Sequence, residues 1–131
     1  MLHPRQFQVN EAWIAFVLNE EPIETERDGS FSCICLMDAA SCFILATAMV
    51  TATEREPSEL VARRLFKDAR AHHPSRPTKL FVSTEQFKKH VAAEANRQGM
   101  EVVPVQEEDL LVFVGEARQG FIEHLQGPAS E

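Results

Sequence analysis

Hydrophobic side chains recur along this chain with two different periods, and the change from one to the other constrains the fold more than any other feature. Through residue 52 the apolar residues come in short runs. Residues 13–18 read Trp-Ile-Ala-Phe-Val-Leu, residues 31–37 form a second run, and residues 42–52 form a third with β-branched Ile44, Thr47, Val50 and Thr51. Runs of this length and composition predict buried strands. Between the first two, residues 20–30 are polar and contain Pro22 and Asp28-Gly29, a turn signal. Asp38-Ala39-Ala40-Ser41 then separates the second run from the third, which predicts a hairpin.

Beyond residue 57 the period lengthens. Val61, Ala62, Leu65, Phe66 and Ala69 lie along one helical stripe. Pro57 suits the first turn, and His72-His73-Pro74 ends the helix, because proline disfavours helical geometry in the residue before it. Residues 79–82 read as a strand. Ser83 followed by Gln86 matches a capping box, and Phe87, Val91 and Ala95 repeat every four residues on a second helix that Gly99 closes. Residues 100–105 read as another strand. Leu110, Val114, Ala117, Phe121 and Leu125 share a stripe that predicts a helix over 109–125, although 110–114 alone has the composition of a strand. Gly115 and Gly120 each weaken that helix by roughly 1 kcal/mol relative to alanine.

The resulting order, β-β-β-α-β-α-β-α, predicts an α/β fold: a five-stranded mixed sheet flanked by helices. Sequential strands pair antiparallel, and strands joined through helices pair parallel by right-handed crossovers. A chain of 131 residues fits one domain, here expected over 1–126, with 127–131 a flexible tail.

This order resembles the ribonuclease H-like fold, in particular the cores of integrases and transposases, over residues 12 to 125. It is also similar to an uncharacterised bacterial domain family of the same layout. In integrase cores a tryptophan often opens the first strand and a catalytic aspartate follows three residues later. Here Trp13-Ile14-Ala15-Phe16 has the tryptophan, with Phe16 in the acid's place. After the fourth strand those enzymes carry a Ser-Asp or similar pair and then a glycine-rich turn, where this chain reads Phe81-Val82-Ser83-Thr84-Glu85-Gln86. The resemblance therefore implies a ribonuclease H-like core without its catalytic acids. Two-metal phosphoryl chemistry needs several carboxylates converging on ions roughly 3.5–4 Å apart, and phenylalanine is no ligand. A rearranged site would draw on Asp38, Glu85 and Glu116, with Glu123 further along the last helix.

Other chemistry has little support. Cys33-x-Cys35 puts two thiols on one strand face, and only Cys42 is near enough in sequence to join them, short of a four-ligand zinc set. Three cysteines do not close a disulfide framework, so buried reduced thiols are expected. Adjacent residues on a helix point about 100° apart, so His72 and His73 read as a helix terminus rather than a chelating pair. No spacing selects Cys42 with His90 or His124 as a nucleophile and base. Nucleophile elbow, phosphate loop and dinucleotide fingerprint are all missing. No cofactor and no metal are expected.

Charge is unevenly spread. Residues 1–57 carry nine acids and three bases, 58–97 carry four acids and nine bases, and 98–131 carry seven acids and one base. The middle third is thus basic within a chain of net charge −7. Arg63, Arg64, Lys67, Arg70, Arg76, Lys79, Lys88 and Lys89 fall on the first two helices and their connector. They form one patch if those helices share a face, and otherwise an ordinary solvated surface. As a patch, Arg63, Arg64, Lys67, Arg70, Lys88 and Lys89 predict docking to an acidic partner: another protein, a second copy, or nucleic acid. The net charge and the few interleaved aromatics disfavour nucleic acid. No apolar run approaches a membrane span, and the first residues lack the apolar core of a signal peptide, so a cytoplasmic location is expected. A non-catalytic binding module is the reading these residues favour. A degenerate metal-dependent nuclease and a nucleic-acid binder are the alternatives.

Overall fold

Residues Ala12–Val17 contain no polar side chain, and a strand of that composition is stable only when both its faces are covered. The computed structural model describes residues 3–19, 23–25, 29–51, 57–72, 77–83, 87 and 89–126, and in it this strand, β1, lies in the middle of the sheet. The other strands are β2 (Ile23–Thr25), β3 (Gly29–Asp38), β4 (Ile44–Thr51), β5 (Lys79–Ser83) and β6 (Glu101–Val105). The helices are α1 (Glu59–Arg70), α2 (His90–Arg97) and α3 (Glu107–Gln126).

The strands occupy five positions in the order β4-β3-β1-β5-β6. β3 pairs antiparallel with β1 and β4, while β5 pairs parallel with β1 and β6. The three-residue β2 is an addition to the expected set. Phe31 of β3 pairs with Thr51 on one side and Ile23 on the other, so β2 continues along the edge of β3 that β1 also occupies. The turn signal at Asp28-Gly29 had masked this strand, since its flanks are polar. Where the ladder is interrupted, the Asn19 side chain takes over. Its Oδ1 accepts from Cys33 N at 2.6 Å and its Nδ2 donates to Phe31 O at 3.2 Å.

Alternation along β1 sends residues to two cores. Trp13 and Ala15 join Ile34, Leu36, Leu65, Phe66, Leu80 and Val91 beneath α1 and α2. Ala12, Ile14 and Phe16 join Cys35, Met37, Phe81, Leu110, Phe113 and Val114 beneath α3. Helices α1 and α2 therefore share one face, and α3 covers the other.

Local expectations were met unevenly. The 110–114 stretch is helical, part of α3. Ser58 caps α1 by accepting from Val61 N at 3.3 Å, with Pro57 buried just before it. The helix ends at Arg70, before the histidines. The Ser83–Gln86 capping box falls partly on residues outside those described. Ser83 is the last residue of β5, and α2 begins only at His90, behind Lys89, which makes no side-chain cap. Phe87 is not on the helix. It sits in the left-handed region (φ 60°) and still buries its ring completely, because apolar drive into the α1–α2 core outweighs backbone preference. Gly99 (φ 86°) closes α2 as expected. Its N–H bonds Asn96 O at 3.0 Å and Met100 N–H bonds Ala95 O at 2.9 Å, the double closure that favours glycine. Arg76, Glu85, Gln86, Lys88 and the 127–131 tail lie outside the described residues.

Candidate functional site

The carboxyl ends of the parallel strands are where an open α/β sheet usually offers a site. At the end of β1, Phe16 is 2% exposed in the α3 core. The next residue, Val17, offers its carbonyl to Arg118 of α3, which donates from Nε at 3.2 Å and from Nη2 at 3.0 Å. The same guanidinium lies 3.5 Å from Glu107 at the start of α3. A fixed positive charge, nearly buried, thus stands at this strand end. Sequence reasoning passed over Arg118. The signal it carried was being the one base among residues 98–131.

Asp38, the first member of the rearranged acid set, closes the other end of β3 and is 1% exposed. Its Oδ1 accepts from Asn10 N at 2.7 Å. Its Oδ2 accepts from Ser41 N at 2.9 Å and from Ser41 Oγ at 2.7 Å. Asn10, in left-handed backbone (φ 66°), passes the link onward by accepting from Trp13 Nε1 at 2.9 Å. The carboxylate therefore organises the β3–β4 turn and orients the tryptophan. Glu116 is exposed on α3. Asp38 and Glu116 both act on Cys42: burial first, then the charges of Glu116 and Asp38, push its thiol above the ordinary range. Cys33 and Cys35 share the α3 face. A hydrogen bond to Cys33, then burial, pushes the Cys35 thiol up strongly. Among the described residues, no three His, Cys, Asp or Glu side chains gather as a metal set.

The basic residues divide into two groups. Some are neutralised between the two helices. Arg63 pairs with Glu59 at 2.7 Å, and Arg97 lies 3.6 Å from Glu59 and 2.8 Å from buried Glu94. Arg70, expected in solvent, is instead half-buried and donates to Gln98 Oε1 at 3.0 Å, because α2 packs alongside it. Others face outward. Arg64 and Lys67 are exposed and make no ion pair with a described residue, and Lys89 is exposed just before α2. Leu60 stands beside Arg64 and Lys67, 70% exposed. Leu60, Arg63, Arg64, Lys67 and Asp68 line a shallow depression of about 320 Å³ on α1. The exposed leucine gave no signal in a stripe analysis that looked only for core positions.

No protein-family model and no curated protein matches the sequence. Solved structures match it by fold. The intasome of simian T-cell lymphotropic virus, in complex with PP2A regulatory subunit B56 gamma, superposes with TM-score 0.53 at 11% identity, over 90% of this chain and 37% of that one. The HTLV-2 integrase catalytic core domain, a dimeric form in complex with magnesium, superposes with TM-score 0.52 at 9% identity, over 83% of this chain and 82% of that one. The fold is thus ribonuclease H-like, in the arrangement of retroviral integrase catalytic cores. This chain corresponds to well under half of the intasome chain and to most of the isolated HTLV-2 core. Among its described residues, no helix is long and apolar enough to cross a membrane.

Proposed function

We propose that this chain is a non-catalytic binding module on a ribonuclease H-like frame, docking an acidic protein surface through the outward face of α1. The observation that carries this reading is the end of β1. The resemblance to integrase cores expects a metal-ligating carboxylate at Phe16, and the ring there is packed into the core. Arg118 sets a guanidinium on the neighbouring carbonyl of Val17. That guanidinium, which also lies 3.5 Å from Glu107, fills this strand end with a side chain that is no metal ligand. The competing site, Asp38 with Glu85 and Glu116, would have to recruit a carboxylate already accepting three hydrogen bonds.

An acidic protein suits the basic face better than nucleic acid does. Leu60 lies among the outward cations, and an apolar side chain at a contact's centre finds its match on protein. Net charge of −7 opposes a polyanion at long range. Two measurements test the reading together. Thermal melts with Mg²⁺ or Mn²⁺ are expected to show no stabilisation beyond a matched monovalent control, since ions that bind only the native state raise its melting temperature. Incubation with labelled single- and double-stranded DNA is expected to leave it intact. Divalent-dependent cleavage that disappears in Glu116→Gln, an exposed position outside the β3–β4 turn, would establish the nuclease instead.

A further inference from the structure

The two outer helices present stripes that fit one another. On α1, Leu60, Arg64 and Lys67 point away from the core, all exposed. On α3, Glu108, Leu111, Val112 and Gly115 form the outward stripe, all exposed, with Leu111 at 47% and Val112 at 48%. One stripe is apolar and cationic, the other apolar and anionic.

Gly115 packs against nothing among the described residues. Nothing lies within 4 Å of a Cβ built on it, and its backbone is helical rather than left-handed. Glycine in a helix interior costs about 1 kcal/mol relative to alanine. Its effect at this position is a notch in the outer surface, beside two exposed aliphatic side chains.

We infer that this chain associates with further copies of itself, α1 of one copy lying antiparallel on α3 of the next, with Leu60 seated in the notch at Gly115. The spacing supports the register. Leu60 to Lys67 is seven residues and Gly115 to Glu108 is seven residues, so with Leu60 in the notch Lys67 meets Glu108. The Arg64 stem then crosses Leu111 and Val112, where a long charged side chain covers apolar surface. Because α1 and α3 lie on opposite faces of the sheet, the contact is head-to-tail and does not close by a two-fold axis. This inference rests on the reading of α1 as an acid-docking surface and names the acid.

The test uses the whole chain and two variants, each checked by circular dichroism. Leu60→Ala/Arg64→Ala/Lys67→Ala spoils the α1 stripe. Val112→Lys/Gly115→Lys spoils the α3 stripe at two exposed positions. By analytical ultracentrifugation at low salt, the parent chain is expected to gain mass with concentration. It should fall back to monomer in about 1 M salt, where the screening length is about 3 Å. Each variant alone is expected to stay monomeric, and an equimolar mixture to stop at a heterodimer, since each keeps one good face. A parent chain that is monomeric throughout, a dimer that does not extend, or a mixture that does not associate overturns the inference. A fluorescent oligoglutamate probe separates the two readings. If a monomeric parent chain binds it and the α1 variant does not, the acid-docking surface stands and self-association falls. If it binds neither, both fall.

Discussion

Single side chains carry much of the order at the β3–β4 turn. Asp38, Asn10, Ser41 and Trp13 form a chain of hydrogen bonds that ties the segment before β1 to the end of β3. A buried carboxylate so engaged is expensive to lose. Asp38→Ala is expected to destabilise the fold by about 2–4 kcal/mol, read as a shift in the urea midpoint. A change within the range of an ordinary surface substitution would show that these bonds contribute little. Cys42 reports on the same corner. Its raised thiol value favours the neutral form, and the thiolate is the reactive species. Alkylation of Cys42 by iodoacetamide, followed by peptide mass spectrometry, is therefore expected to be slower near neutral pH than for an unfolded thiol. Its rate should still be climbing where the unfolded thiol, with a value of about 8.5, has levelled off. Glu116→Gln removes one of the two repelling charges and is expected to speed the reaction at fixed pH. An unchanged profile would break the link between α3 and this turn.

At the scale of elements, the glycines of the second and third helices behave oppositely. Gly99 needs its positive φ to close α2, and a Cβ there meets no neighbour, so only the backbone is strained. Gly99→Ala is expected to lower stability by about 1–2 kcal/mol. Gly120 sits in α3 with ordinary helical backbone and open space around it. Gly120→Ala is expected to raise stability by about 0.5–1 kcal/mol. Paired thermal melts check both, and equal signs would refute the distinction. The elements themselves were legible because period is a local property. Three strand runs, the α1 stripe and the Gly99 closure each lie within a dozen residues. Short polar β2 was not legible, because a three-residue strand has no period to detect. The expected place of Phe87 on α2 failed for a related reason. A spacing along the chain says nothing of the ring of Phe87, which enters the core ahead of the helix.

For the whole molecule, the sheet places basic α1, with α2 beside it, on one side and α3, with its acidic first turn, on the other. Arg118 joins the sheet to α3 across 101 residues of sequence. Arg118→Met keeps the aliphatic stem and leaves the Val17 carbonyl without its donor. It is expected to destabilise by about 1–3 kcal/mol, with hydrogen exchange of α3 amides rising more than that of β3 amides. Uniform exchange would mean that α3 is held by its apolar face alone. The two edges of the sheet also differ. β6 carries Pro104, which has no N–H to offer a neighbour, whereas β4 is eight residues long without proline.

The order of the five main strands and three helices, the helical stripe of α1 and the basic middle third were all set by the sequence alone, because each depends on neighbours along the chain. Which cations are spent on Glu59 and Glu94, which acid holds a turn, and which cation stands at the end of β1 were decided by the tertiary structure. The contacts that decide these matters, Arg97 to Glu59, Asn10 to Asp38 and Arg118 to Val17, join residues far apart in sequence, and only the path of the chain through the sheet brings such groups together.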